Sequence, residues 1–147
     1  MPSPTRATRE PAHLQISVHL SDRNFRVKGT PPFEVAVTRY VPPTSNLSEA
    51  VLREFFRGPN EEEHAQGLDL ITSGFTGFSS LEIEDGLAHL YLSGPCRSLG
   101  ATYTIAQPLL ANLRQFEEIK YVKICDSEGT TEEPTGPTNS VPLCLEP

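Results

Sequence analysis

The stretch Ser80–Leu92, SLEIEDGLAHLYL, sets two alternating apolar runs on either side of Asp85–Gly86. An Asp-Gly pair supplies the two positive φ angles of a type I′ turn, the two-residue turn whose twist matches the strands it joins. A β-hairpin is therefore predicted. Its register puts Ile83 opposite Ala88 and Leu81 opposite Leu90, so these side chains and Leu92 share one face while Glu82 meets His89 on the other. The Glu82–His89 pair reads as surface electrostatics. A sheet with one apolar face must bury that face against another layer.

The flanking sequence supplies the layer. Leu14, Ile16, Val18 and Leu20 alternate with Gln15, Ser17 and His19, the period of a half-buried strand. A turn-prone segment over 21–32 leads to a second alternating run through Phe33, Val35 and Val37, which Pro42–Pro43 stop. Asn46 with Glu49 has capping-box spacing, and Leu47, Val51, Leu52, Phe55 and Phe56 then form a helical stripe that ends at Gly58–Pro59. Asn60–Gln66, NEEEHAQ, predicts at most a short polar turn of helix. Adjacent helical positions point about 100° apart, so Glu61, Glu62, Glu63 and His64 read as a solvated acidic face and not a metal site. After the hairpin, Ile105, Leu109, Leu113 and Phe116 recur at helical spacing, with Pro108 either opening that helix or kinking it. Ile119–Cys125, IKYVKIC, predicts a last strand with Val122 and Ile124 on one face and Tyr121 and Cys125 on the other. The order strand, strand, helix, hairpin, helix, strand predicts an α+β two-layer sandwich, two helices on one face of a mixed or antiparallel sheet. Residues 1–12 are expected to be a flexible segment, 13–126 the domain, and 127–147 a Pro/Thr/Glu-rich arm unable to build core of its own.

Composition narrows the functional classes. The 147 residues, 37% hydrophobic and 7% aromatic, suit one modest core. A net charge of −7, with no basic run interleaved with aromatics, excludes nucleic acid as a partner. No apolar run approaches the length of a spanning helix, and MPSPTRATRE holds no leader core, as expected of a mature domain whose leader has been removed. Of three cysteines, Cys125 sits in a predicted strand, whereas Cys96 and Cys144 lie in Gly/Pro/Ser-rich loop and tail. A Cys96–Cys144 disulfide would close a long loop, contribute at most about 4 kcal/mol and staple the arm. It would also imply an oxidising compartment; the alternative is three reduced thiols in a cytosolic protein. Paired short Cys spacings are absent, so no metal or other cofactor is expected.

An enzyme would need a nucleophile beside a base, drawn from Cys125 or a serine with His13, His19, His64 or His89. None stands in a recognisable motif, and Cys125 reads as a buried small hydrophobe. Tyr91 and Tyr121 are expected on the sheet face away from the helices. With His89, Lys120 and Lys123 they form the expected contact surface, for protein first and for glycan second; the alternative is that they simply cover the sheet. Without Trp, a sugar-stacking platform rests on Tyr40, Tyr91, Tyr103 and Tyr121 alone. Arg39 is expected to serve as a structural partner for a carboxylate.

In order and spacing, VTRYVPPT, LREFFRGPNEEE, GLDL, LEIEDGLAHLYLS, IAQPLLANLRQF and YVKI resemble a GerMN domain of the sporulation and germination proteins over about Gln15–Asp126. The resemblance implies a βαββαβ-like fold similar to ring-building motifs, found in lipoproteins and cell-envelope proteins and not known for catalysis. It departs from double-domain members in carrying one copy, and in the SGPCRSLG segment and Cys-bearing tail, which put ring assembly in doubt. The implied function is a non-enzymatic, extracytoplasmic, secreted or lipid-anchored protein-interaction module. Its partner would be an envelope protein or a second copy. A cell-wall glycan or small-ligand binder is the alternative, and a hydrolase is less favoured.

Overall fold

Period-two runs become strands and period-3.6 runs become helices along most of the chain. The computed structural model describes residues 13–29 and 31–147; residues 1–12, expected to be flexible, lie outside them. Strand β1 (Leu14–Asp22) pairs antiparallel with β2 (Glu34–Val41), and at its end with β3 (Leu68–Asp69). The hairpin forms as β4 (Gly77–Glu84) and β5 (Leu87–Ser93), turning at Asp85 (φ 53°) and Gly86 (φ 83°), with β6 (Tyr121–Cys125) parallel to β5. Leu81 opposes Leu90 and Ile83 opposes Ala88. Ile83 nevertheless stays 37% exposed, because β4 is the outer strand of its sheet.

Helix α2 (Leu47–Arg57) is capped by Asn46, whose side chain accepts from the Glu49 amide at 3.3 Å. Val51, Leu52 and Phe55 are buried on its inner face. Burying a side chain such as Phe55 contributes about 2–3 kcal/mol. Helix α4 (Ala106–Leu113) places Pro108 in its first turn, where the missing N–H is one the helix would not have used. The helix ends before Phe116, which packs against the core from the following turn. Both helices lie against β1; α2 also reaches β4, and α4 reaches β6. Val18, Leu20, Leu52, Phe55, Leu90, Ile105, Leu109 and Ile124 fill the space between these layers.

The fold is α+β, with its strands divided between two three-stranded sheets, β2-β1-β3 and β4-β5-β6. The division has a local cause. The side of β1 away from β2 is met by α4: buried Asn112 accepts from the His19 N–H at 2.7 Å and donates to the His19 carbonyl at 2.9 Å. Gln115 donates to the Ser17 carbonyl at 3.0 Å. The Asn112 amide thus stands in for a neighbouring peptide group, satisfying strand bonds that would otherwise need another strand.

Helix α1 (Arg23–Lys28) and the strand β3 were not expected, whereas the short polar turn of helix expected over Asn60–Gln66 forms as α3 (Glu61–Ala65). Helix α1 lies in the segment read as turns, started by the Asp22 carboxylate on the Asn24 amide (2.8 Å) and stopped at Gly29 (φ 72°). Helix α3 carries a full capping box, Asn60 with Glu63.

Candidate functional site

The parallel register of β5 and β6 sets His89 beside Lys123 and Tyr91 beside Cys125. Alternation turns Ala88, Leu90, Val122 and Ile124 to the core and the other set, with Tyr121, to the opposite face. His89 and Tyr91 stack there, ring centroids 6.5 Å apart, and the Tyr91 ring passes beside Gly129. His89, Tyr91 and Tyr121 are half-buried, Lys120 is exposed, and Lys123 is fully buried.

The C-terminal arm buries Lys123. Asp126 turns the chain by accepting from the Glu128 and Thr130 amides at 3.0 and 2.9 Å. Further on, the Ser140 N–H donates to the Val122 carbonyl at 3.0 Å, and the Ile124 N–H donates to the Ser140 carbonyl at 2.9 Å. Asn139 Oδ1 accepts from the Val122 N–H at 2.8 Å. The arm thereby occupies the margin of β6 that another strand would use. Between these points it crosses the face: Lys123 Nζ donates to Thr138 Oγ1 (3.0 Å) and the Thr135 carbonyl (3.3 Å), while His89 Nε2 donates to the Pro134 carbonyl at 2.7 Å. Cys144 is disulfide-bonded to Cys96, Ser98 Oγ donates to the Cys144 carbonyl at 2.7 Å, and Leu145 enters the core. An arm expected to wrap without contributing core thus adds one core side chain. Of the five residues expected to form an open surface, Lys123 holds the arm from beneath, His89 and Tyr91 lie partly under it, half-buried Tyr121 shares their face, and exposed Lys120 sits at the hairpin turn with its stem beside Gly86.

Elsewhere the charged side chains mostly hold structure. Arg39 reaches Glu54 at 3.1 Å and also bonds Glu63 and the Gly58 carbonyl, so it joins β2 to α2 and α3. Burial alone would raise Glu63; the Arg39 guanidinium and the Asn60 amide overcome it and hold the carboxyl below its usual range. Asp69 is likewise held low, chiefly by its bond to Arg23, with Arg26 and His64 adding to it. Glu63 turns inward while Glu61 and Glu62 face solvent, so the three adjacent carboxylates diverge. Burial raises the Tyr103 phenol, which donates to Glu34 at 2.6 Å. Arg26 lies over its ring at 5.6 Å. Arg26, Phe33, Tyr103 and Gln107 border a concavity of about 380 Å³. Cys125 is buried and its thiol is pushed up to about 11, first by burial, the opposite of an activated nucleophile.

The model of the Germane family, described as sporulation and spore germination, matches residues 20–133. The chain belongs to the Germane family. A solved structure of tandem GerMN domains of the sporulation protein GerM from Bacillus subtilis superposes with a TM-score of 0.55 at 17% identity. It covers 84% of this chain and 42% of the other, so this chain spans less than half of that tandem protein. At that identity the likeness is one of fold. No curated protein matches the chain. The Germane match stops inside the arm, so Pro134, Thr138, Asn139, Ser140 and Cys144, which pin it, lie beyond the matched region. Cys144 was the one signal in the sequence that the tail is tied down. Nothing in the composition of 127–147 said which face it crosses.

Proposed function

We propose that this Germane domain is a non-enzymatic protein-interaction module working outside the cytoplasm. The observation that carries the reading is the disulfide-anchored arm. The Cys96–Cys144 bridge, 48 residues apart in sequence, ties down the arm that crosses the sheet face, and such a bridge suits an oxidising compartment. The partner would meet the composite surface made by the arm's crossing over His89, with Tyr121 on the same face and Lys120 at its hairpin end. Catalysis finds no support in a high-pKa buried thiol and a His89 ring nitrogen committed to the Pro134 carbonyl. Two measurements test the two halves of the reading. Non-reducing peptide mapping of protein taken from its own cells should return the Cys96–Cys144 bridge with Cys125 free; three free thiols would rule out the extracytoplasmic placement. A photo-crosslinking residue in place of Lys120 or Tyr121 should yield discrete protein adducts in the cell envelope, and the same residue at exposed Val27 should not. Equal labelling from both positions would remove this surface.

A second reading has one specific observation in its favour, the concavity at Arg26, Phe33, Tyr103 and Gln107. It pairs aromatic surface with amide and guanidinium donors, as a small polar ligand or a cell-wall glycan would require. Titration of peptidoglycan fragments, followed by amide shifts of Phe33 and Tyr103, tests it; unmoved signals would exclude it.

A further inference from the structure

We propose that the outer edge of β2 pairs with the same edge of a second copy of this chain, joining the two β2-β1-β3 sheets across a two-fold axis at Val37. This surface lies on the other sheet from the arm, and the proposal stands or falls apart from the crosslinking test at Lys120 and Tyr121.

The backbone directions follow from contacts already described. His19 turns its N–H and C=O groups, and Ser17 its C=O, toward Asn112 and Gln115, and the Arg23 N–H donates to the Gly67 carbonyl on the β3 side. In an antiparallel ladder these directions alternate, so Leu14, Ile16, Val18 and Leu20 bond to β2. Their partners are Val41, Arg39, Val37 and Val35. Glu34, Ala36, Thr38 and Tyr40 must then direct their N–H and C=O groups outward. Among the described residues none of those groups meets another backbone group.

An edge of this kind is normally guarded by a bulge, an exposed charge or a proline within it. The outer strand of the other sheet, β4, has such guards: a bulge between Phe78 and Ser80, and exposed Glu82 and Glu84. On β2, Arg39 is drawn inward to Glu54 and Glu63, and Glu34 is held by Tyr103. The exposed side chains there are Ala36, Thr38 and Tyr40, the last 64% exposed. No lysine projects and no bulge interrupts the strand.

The prolines indicate a second copy as the occupant. Pro31 and Pro32 before the strand, and Pro42 and Pro43 after it, lie symmetrically about Val37. Antiparallel self-pairing centred on Val37 sets Ala36 opposite Thr38 of the second copy and Glu34 opposite its Tyr40. All four outward residues of each copy then join the ladder. The proline pairs meet one another just outside it, where their missing N–H groups cost nothing. No like charges face each other in this register, and small side chains at its centre allow close approach.

Sedimentation equilibrium of the full, oxidised chain from low-micromolar to near-millimolar concentration tests the proposal. The weight-average mass should rise from 16.2 kDa toward twice that value. Thr38→Pro removes an outward N–H that the monomer does not use, and it should hold the mass at the monomer value with its circular dichroism unchanged. If that variant fails to fold, Thr38→Lys guards the edge without touching the backbone and should likewise stay monomeric. Register is read by oxidising Ala36→Cys protein mixed with Thr38→Cys protein, since directly opposed residues lie about 5.5 Å apart, within disulfide reach. Crosslinks should form in the mixture and not in either variant alone. A wild-type chain that stays monomeric throughout, a dimer that survives Thr38→Lys, or crosslinking in the single variants would each overturn the proposal.

Discussion

Removing the Cys96–Cys144 bridge by the double change Cys96→Ser/Cys144→Ser should cost about 4 kcal/mol. The figure follows from the 48-residue separation of the two cysteines, through the loop-closure entropy that the bridge withholds from the unfolded chain. The folded side changes less, because Ser140, Asn139 and Thr138 still tie the arm to β6 and Lys123. Equilibrium urea unfolding is the assay. With a slope of about 2 kcal/mol per molar urea for a chain of this size, the midpoint should fall by about 2 M. The slope itself should rise, since an unbridged denatured chain exposes more surface to urea. In the same protein Cys125, shielded in the native fold, should react faster with a thiol reagent as the arm opens more often. A loss below about 1 kcal/mol with an unchanged slope would refute the reasoning, because it would mean that the bridge does not restrict the denatured chain.

Three other changes should behave as follows. Arg39→Met leaves the nearly buried Glu63 without its counter-charge and Glu54 with the exposed Arg57 alone, and should cost about 3 kcal/mol in a thermal or urea melt, with part of it restored by adding Glu63→Gln. Asn112→Asp sets a carboxylate against the His19 carbonyl and raises that carboxyl's folded-state pKa. Its stability should be nearest wild type below about pH 4 and fall away as pH rises, whereas Asn112→Ala should lose about 3 kcal/mol with no added pH dependence. A Asn112→Asp variant with the pH profile of wild type would disprove the peptide-mimic role. His19 has its pKa lowered by burial, against the opposing pull of Asn112 and Glu34, so the stability tied to its neutral form is full above 6.5 and lost as pH falls below that. His19→Gln should flatten that stretch of the stability-pH curve; the carboxyls of Asp69 and Glu63, held low, add a further loss under more acidic conditions.

The local chemistry was legible wherever a residue acts on its near neighbours. Asp85–Gly86 fixed the hairpin and its register, Asn46 and Gly58 bounded α2, and the period-two runs located β1, β2 and β6. The Asp22 cap before Gly29 and the Asn60–Glu63 box were equally present in the sequence, and α1 and α3 answer to them. What could not be read is where distant segments meet. Asn112 sits in an apolar helical stripe, and nothing in that stripe says that its amide will satisfy His19, 93 residues away, and so divide the strands into two sheets. Lys123 alternates with Val122 and Ile124 as any outward lysine would. Its burial comes from an arm whose Pro, Thr and Glu composition specifies neither a path nor a face.

The amide of Asn112 also gives the β2-β1-β3 sheet a polarity. On the other margin of β1 the amides of Asn112 and Gln115 hold His19 and Ser17 and the two-residue β3 pairs its end, so β2 is the one long edge at which this sheet can accept a further strand. A sheet that can be extended from one side is a terminator as well as a connector: edge pairing through it ends at two copies and cannot run on into a filament.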